Sequence, residues 1–167
     1  HFTNKEELLR AVLDERGREA VAAFAPRAAD GASFEARFFA RFERMHAFLE
    51  GHTGFLMVAS RHGFLASEHR EAGHAHGNAL EAGMREQVEQ LLREGMEEGA
   101  LEVDDPARLA RFLKGASRGV LMSAALEGRQ DLCAQGRWVL RQFLRGARRR
   151  ERADAAPSAP AETKGDP

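Results

Sequence analysis

The sequence predicts an all-α domain, a helical bundle of about six helices. Three observations carry that prediction. Ala, Leu, Arg and Glu dominate, Tyr and Ile are absent, and Val and Thr are sparse, so helix formers are abundant and strand formers scarce. Apolar residues recur at steps of three and four. Helix start and stop signals, such as Asp105-Pro106 and Gly99, fall between the periodic runs.

The first helix is predicted over about Lys5 to Phe24. Thr3 or Asn4 caps it, and Glu6 or Glu7 reaches back to complete a capping box. Leu9, Val12, Leu13, Ala20 and Phe24 form its apolar stripe, and Pro26 ends it. Lys5 sits where the helix dipole disfavours a cation. A solvated surface lysine is the plain reading of it, and a phosphate contact at the helix N-terminus the functional one.

Asp30-Gly31 turn the chain and Ser33 caps a second helix, about Phe34 to Glu50. Phe34, Phe38, Phe42, Met45 and Leu49 share one face of it, widened by Phe39 and Phe48. A face so aromatic needs either dense interdigitation or a guest. Gly51 to Gly54 break the chain, and an apolar segment from Phe55 to Leu65 carries Arg61 and His62. Ser67 to Gly77, rich in His and Gly, reads as a loop or frayed helix start. Asn78 with Glu81 opens the next helix, which runs through Leu80, Met84, Val88, Leu91, Leu92 and Met96 to a stop at Gly99. Asp105-Pro106 starts a helix carrying Leu109, Phe112, Leu113, Val120, Leu121 and Ala124, closed by Gly128. The last helix, about Asp131 to Arg148, carries Leu132, Val139, Leu140, Phe143 and Leu144. Residues 151–167 are too poor in apolar groups to fold and read as a disordered tail.

Composition narrows the function. The formal net charge of −1 leaves no electrostatic footprint for nucleic acid in these residues. Cys133 is the lone cysteine, so no internal disulfide forms, in keeping with a reducing cytoplasm. No run is long and apolar enough to span a membrane. No nucleophile–base–acid set, Gly-rich phosphate loop or Cys-x-x-Cys is present, so neither an enzyme nor a cofactor is expected.

Two polar patterns stand out. Glu43-x-x-His46 and Glu71-x-x-His74 copy the Glu-x-x-His of di-iron bundles, which suggests a metal-dependent oxidoreductase as an alternative. With this many Glu and His, such a match is expected by chance, the further bridging Glu residues are not evident, and no metal site is assigned. Gly115-x-x-x-Gly119 gives the penultimate helix a small-residue strip that lets another helix approach closely. A second alternative is an interaction module whose Phe-rich face docks a partner protein.

The opening run His1-Phe2-Thr3-Asn4-Lys5-Glu6-Glu7-Leu8 resembles the junction after the DNA-reading helix in TetR-family transcriptional regulators. His1-Phe2, Asn4-Lys5-Glu6 and Leu8 match that pattern position by position. The resemblance implies that residues 1–4 are the remnant of a helix-turn-helix domain lying mostly upstream. Residues 5–150 would then form the ligand-binding and dimerisation domain. It implies a cytoplasmic homodimer that binds operator DNA through the missing N-terminal domain and releases it on binding an apolar effector. Lys5 would touch the DNA backbone. The effector would lie among Phe38, Phe42, Met45, Phe55, Arg61, His62, Met84, Val88 and Phe112. The dimer would form through Gly115, Gly119, Trp138, Val139 and Phe143.

Overall fold

The computed structural model describes residues 3–61 and 75–148, and all regular structure among them is helical. Helix α1 spans Lys5–Phe24, α2 Phe34–Gly51, α3 Thr53–Arg61, α4 Ala75–Glu97, α5 Pro106–Leu126 and α6 Leu132–Ala147. A 3-10 turn, Ala28–Asp30, links α1 to α2. Helix α2 packs on α1 and α6 and touches α3 and α4, while α5 pairs with α6 and α4. The expected tail lies outside the described residues.

Local chemistry sets most helix ends. Asn4 Oδ1 accepts from the Glu7 N–H at 2.8 Å, so Asn4 is the cap of α1. Glu7 reaches back to Thr3, accepting from its N–H and its hydroxyl at 2.6 Å each. Ser33 caps α2, and Asp105 caps α5 by accepting from the Ala107 N–H at 2.9 Å. Gly99, at φ 73°, ends α4: its N–H donates to Met96 O and the Ala100 N–H to Gly95 O, the paired bonds of a Schellman motif. Gly128 ends α5 in the same way.

One end departs from expectation. Helix α4 starts at Ala75, ahead of Asn78, so Asn78 is not its cap. Once a helix is 23 residues long, its packing outweighs the roughly 1 kcal/mol that one early glycine costs. At the start of α6, the Asp131 carboxylate makes no cap bond and instead holds Arg129 and Gln135. The orphan Cys133 N–H donates to Glu50 Oε2 of α2 at 2.7 Å, a cap supplied across the bundle.

The C-terminus of α1 is also held from outside. Its last turn contains no basic residue. Arg41 and Arg44 of α2 supply the charge: Arg41 Nε donates to Phe24 O at 2.8 Å, Arg44 Nε to Ala23 O at 3.0 Å, and Arg44 Nη2 to Ala25 O at 2.7 Å. Two guanidiniums thus face the negative end of the helix dipole. Asp30, buried, pairs with Arg44 and accepts from the Arg27 N–H at 2.9 Å. The Arg44 hydrogen bond, more than the Arg27 one, holds the Asp30 carboxyl below its ordinary value. Arg41 is buried, lies over the Phe24 ring, and donates also to Gln87 of α4 at 3.3 Å.

The core falls into two clusters. The larger joins Phe24, Phe34, Phe38 and Phe42 to Val88, Leu91, Leu92, Leu113, Leu140, Phe143 and their neighbours. Its rings interlock: Phe24 meets Phe42 edge-on at 4.8 Å, and Phe38 stacks on Phe143 at 5.8 Å. Gly95 admits the Phe34 ring, whose Cε2 is 2.6 Å from where a Cβ would stand. The smaller cluster holds Leu56, Leu121, Ala124 and Leu132.

Arg41→Met keeps the length of the side chain but orphans Phe24 O and Gln87. We expect a loss of about 2–3 kcal/mol in urea unfolding. A loss under about 0.5 kcal/mol would show that Arg41 is not what anchors α1.

Candidate functional site

The two clusters are separated at one level of the bundle, where three helices change character together. Along α2 the order is Phe42, His46, Leu49; along α5 it is Leu113, Ser117, Leu121; along α6 it is Leu140, Gly136, Leu132. In each triplet the outer members belong to, or pack against, the two apolar clusters. The middle members are an imidazole, a hydroxyl and a glycine.

His46 is fully buried, and neither Nδ1 nor Nε2 has a hydrogen-bond partner. Ser117 is 7% exposed and its Oγ is likewise unpartnered. The ring has its place because α6 carries no side chain there: a Cβ on Gly136 would stand 2.1 Å from His46 Nδ1. Burial pushes the His46 pKa down to about 4, so the ring is neutral, with one donor and one acceptor nitrogen. Buried polar atoms normally find partners, and each orphan costs about 1–3 kcal/mol.

Successive turns of α2 frame this layer against α6. Glu43 Oε1 lies 2.6 Å from Arg137 Nε, close enough to pair as ions although not aligned as a hydrogen bond. One turn beyond His46, Glu50 caps Cys133. Burial, and then the Glu50 hydrogen bond, push the Cys133 thiol up to about 12, so it is unreactive.

The expected effector residues gather in part. Phe38, Phe42 and Val88 are buried members of the larger cluster, packed by interdigitation. Met45 and Met84 sit at its edge, partly buried. Phe55 is partly buried, its ring 6.4 Å from that of Phe48. Arg61 ends α3, its side chain outside the described residues, as is His62. Phe112 is a correction: it is 63% exposed on the outer side of α5, because Leu109 and Leu113 already turn the inner side to the core.

The expected dimer residues also divide. Gly115 and Gly119 are exposed, and a Cβ on either would meet nothing within 4 Å. Trp138 is 55% exposed. Val139 and Phe143, expected at the interface, are buried in their own chain's core, since α6 turns that face to α2 and α5. Lys5 is exposed in the first turn of α1. Of the proposed metal set, Glu43 is paired to Arg137, and Glu71 and His74 lie outside the described residues. Among the described residues no three His, Cys, Asp or Glu come together as metal ligands.

Sequence reasoning missed the His46–Ser117–Gly136 layer. His46 was visible only inside a chance Glu-x-x-His match. The better signal was Gly136, which costs about 1 kcal/mol relative to Ala inside an otherwise strong helix and implies a close neighbour.

No family model matches the chain, and no curated protein matches it. Among solved structures it is similar to one described as the structure of a protein with unknown function from Rhodococcus sp. RHA1. The identity is 19% and the TM-score 0.70, over 89% of this chain and 76% of that one. At that identity the likeness shows the fold, an all-α helical bundle.

Two predictions follow from the layer's geometry. Gly136→Ala should cost at least about 2 kcal/mol, because the methyl and the imidazole claim one space. Adding His46→Ala should return part of that loss, and strictly additive losses in a double-mutant cycle would mean the two residues do not meet. The second concerns pH. His46 has a folded pKa of about 4 against an ordinary 6.5, so the unfolded chain binds its proton first. Stability from this group is therefore fully present above about pH 6.5 and is lost as pH falls towards 4, by roughly 3 kcal/mol in all. Unfolding measured across that window should show this slope in the wild type and lose it in His46→Phe. An equal slope in both would contradict a buried neutral His46.

Proposed function

We propose that the chain is the effector-binding and dimerisation domain of a ligand-responsive transcriptional repressor of the TetR type, which releases operator DNA when an apolar small molecule binds. The observation that carries this reading is the opening of α1. The run Asn4-Lys5-Glu6, which resembles the family's junction, starts the helix, with Asn4 as its cap and Lys5 exposed beside it. Its far end is bound to α2 and, through Arg41, to α4. A helix exposed at one end and anchored in the core at the other suits a lever between a ligand site and a DNA-binding domain.

In this reading the active species is a cytoplasmic homodimer. Among the described residues no helix is long and apolar enough to cross a membrane. Dimerisation uses the outer side of α5 and α6, where Phe112 and Trp138 are exposed and Gly115 and Gly119 leave room for a partner helix. A dimer reads two half-sites about one DNA turn, roughly 34–36 Å, apart. Tilting α1 alters that spacing, so effector and operator oppose each other through a coupling of about 1–3 kcal/mol.

The test has two arms. In the full-length protein, Lys5→Ala should weaken operator binding equally across sequences and flatten the salt dependence by roughly one phosphate contact. A change in base preference would contradict a backbone contact, and no operator binding by the wild type would refute the reading. For the dimer, Trp138→Asp with Phe112→Asp should give a folded monomer by light scattering. These two side chains are exposed, so the change spares the core; an unchanged dimer places the interface elsewhere.

A further inference from the structure

The near-zero net charge hides a segregation. Helix α5 carries four basic residues and α6 three, and neither carries an acid. Elsewhere acids of the same helix neutralise exposed arginines, Glu19 at Arg16 on α1 and Glu89 at Arg85 on α4. Helix α6 has no such acid. Its Arg137, Arg141 and Arg145 stand about one turn apart on one flank, all exposed, and Arg148 continues the row. Like charges so spaced repel, and only the ends find relief: Glu43 of α2 pairs with Arg137, and Glu35 of α2 with Arg148. In the middle, Arg141 and Arg145 meet no carboxylate among the described residues. The same two pairs fix this flank as the α2 side of α6, whereas the stacking of Phe143 on Phe112 marks the α5 side.

We propose that this row is a contact for the phosphate backbone of a nucleic acid, indifferent to sequence and separate from any DNA-reading helix. Its chemistry is the first ground: a guanidinium is always charged and grips a phosphate through two parallel hydrogen bonds. Its shape is the second. At about 1.5 Å of rise per residue the row runs about 17 Å, opposite about five phosphates of one strand. A linear row suits a linear polyanion. A bilayer surface is gripped by several apolar side chains together with cations, and α6 exposes one large apolar group, Trp138. A dimer formed on the α5 side leaves the row open, and its two-fold axis supplies a second row. These residues lie in the chain itself, so the contact needs no upstream domain.

Two DNA duplexes of unrelated sequence, each about 20 base pairs long, test this on the 167-residue chain by fluorescence anisotropy between about 50 and 200 mM salt. Both duplexes should bind equally. Arg141→Gln with Arg145→Gln should remove about two phosphate contacts, so affinity should fall about tenfold less across that salt range than in the wild type. Both positions are exposed, and this variant should melt no lower than the wild type. Arg10→Gln with Arg93→Gln makes the same change of charge on α1 and α4 and should leave the salt dependence within about half a contact of the wild type. No binding by the wild type at the lower salt would overturn the proposal, as would a preference for one duplex. An equal loss in both variants is an effect of net charge alone and also overturns it. Vesicles of about one-third phosphatidylserine that bind the chain through Arg141 and Arg145, with neither duplex bound, would put a membrane there instead and overturn it too. Operator binding by the full-length protein plays no part in these arms, so the repressor reading can fail while this contact stands.

Discussion

The imidazole of His46 occupies the space beside Gly136 where any other residue would carry a side chain, and the closeness of α2 to α6 depends on that contact. On one side of it, Glu43 pairs with Arg137; on the other, Glu50 caps the start of α6. Further along, Phe38 stacks on Phe143. These contacts hold α6 at a distance where Leu140 and Leu144 reach the core, and α5 packs on α6 in turn. A larger residue at position 136 would push the two helices apart and loosen each of these contacts at once.

Helix α2 also controls α1. Arg41 and Arg44 take hold of three successive carbonyls at the end of α1, and Asp30 fixes Arg44. His46 lies one turn beyond Phe42 on the same helix, the two rings 6.2 Å apart. Phe42 in turn meets Phe24, the last residue of α1. A short, packed path of rings therefore joins His46 to the end of α1. Such a path transmits a shift only if α1 has two positions of similar free energy.

What was legible in the sequence was what local chemistry decides. Asn4, Ser33 and Asp105-Pro106 cap helices by bonds within a few residues, and Gly99 and Gly128 stop them by a backbone angle glycine tolerates. Periodicity placed the aromatic face of α2 but could not say which rings it meets, and Phe24 and Phe143 come from other helices. The broad apolar face of α6 read as an interface; only packing shows that Val139 and Phe143 turn inward while Trp138 turns out. The candidate site was the least legible part, because it consists of a coincidence in space. His46, Ser117 and Gly136 lie on three helices, and each is unremarkable alone. Gly95 and Gly136 are close approaches whose partners are more than forty residues away in the chain.

The central claim is that His46 is a buried, neutral ring seated against Gly136. Nitrogen-15 NMR of the histidine side chains, assigned by comparison with His46→Phe, tests it most directly at about pH 5.5, where an ordinary histidine is mostly charged. The account predicts one protonated and one bare ring nitrogen for His46 at that pH. An imidazolium signal for His46 at pH 5.5 would contradict it.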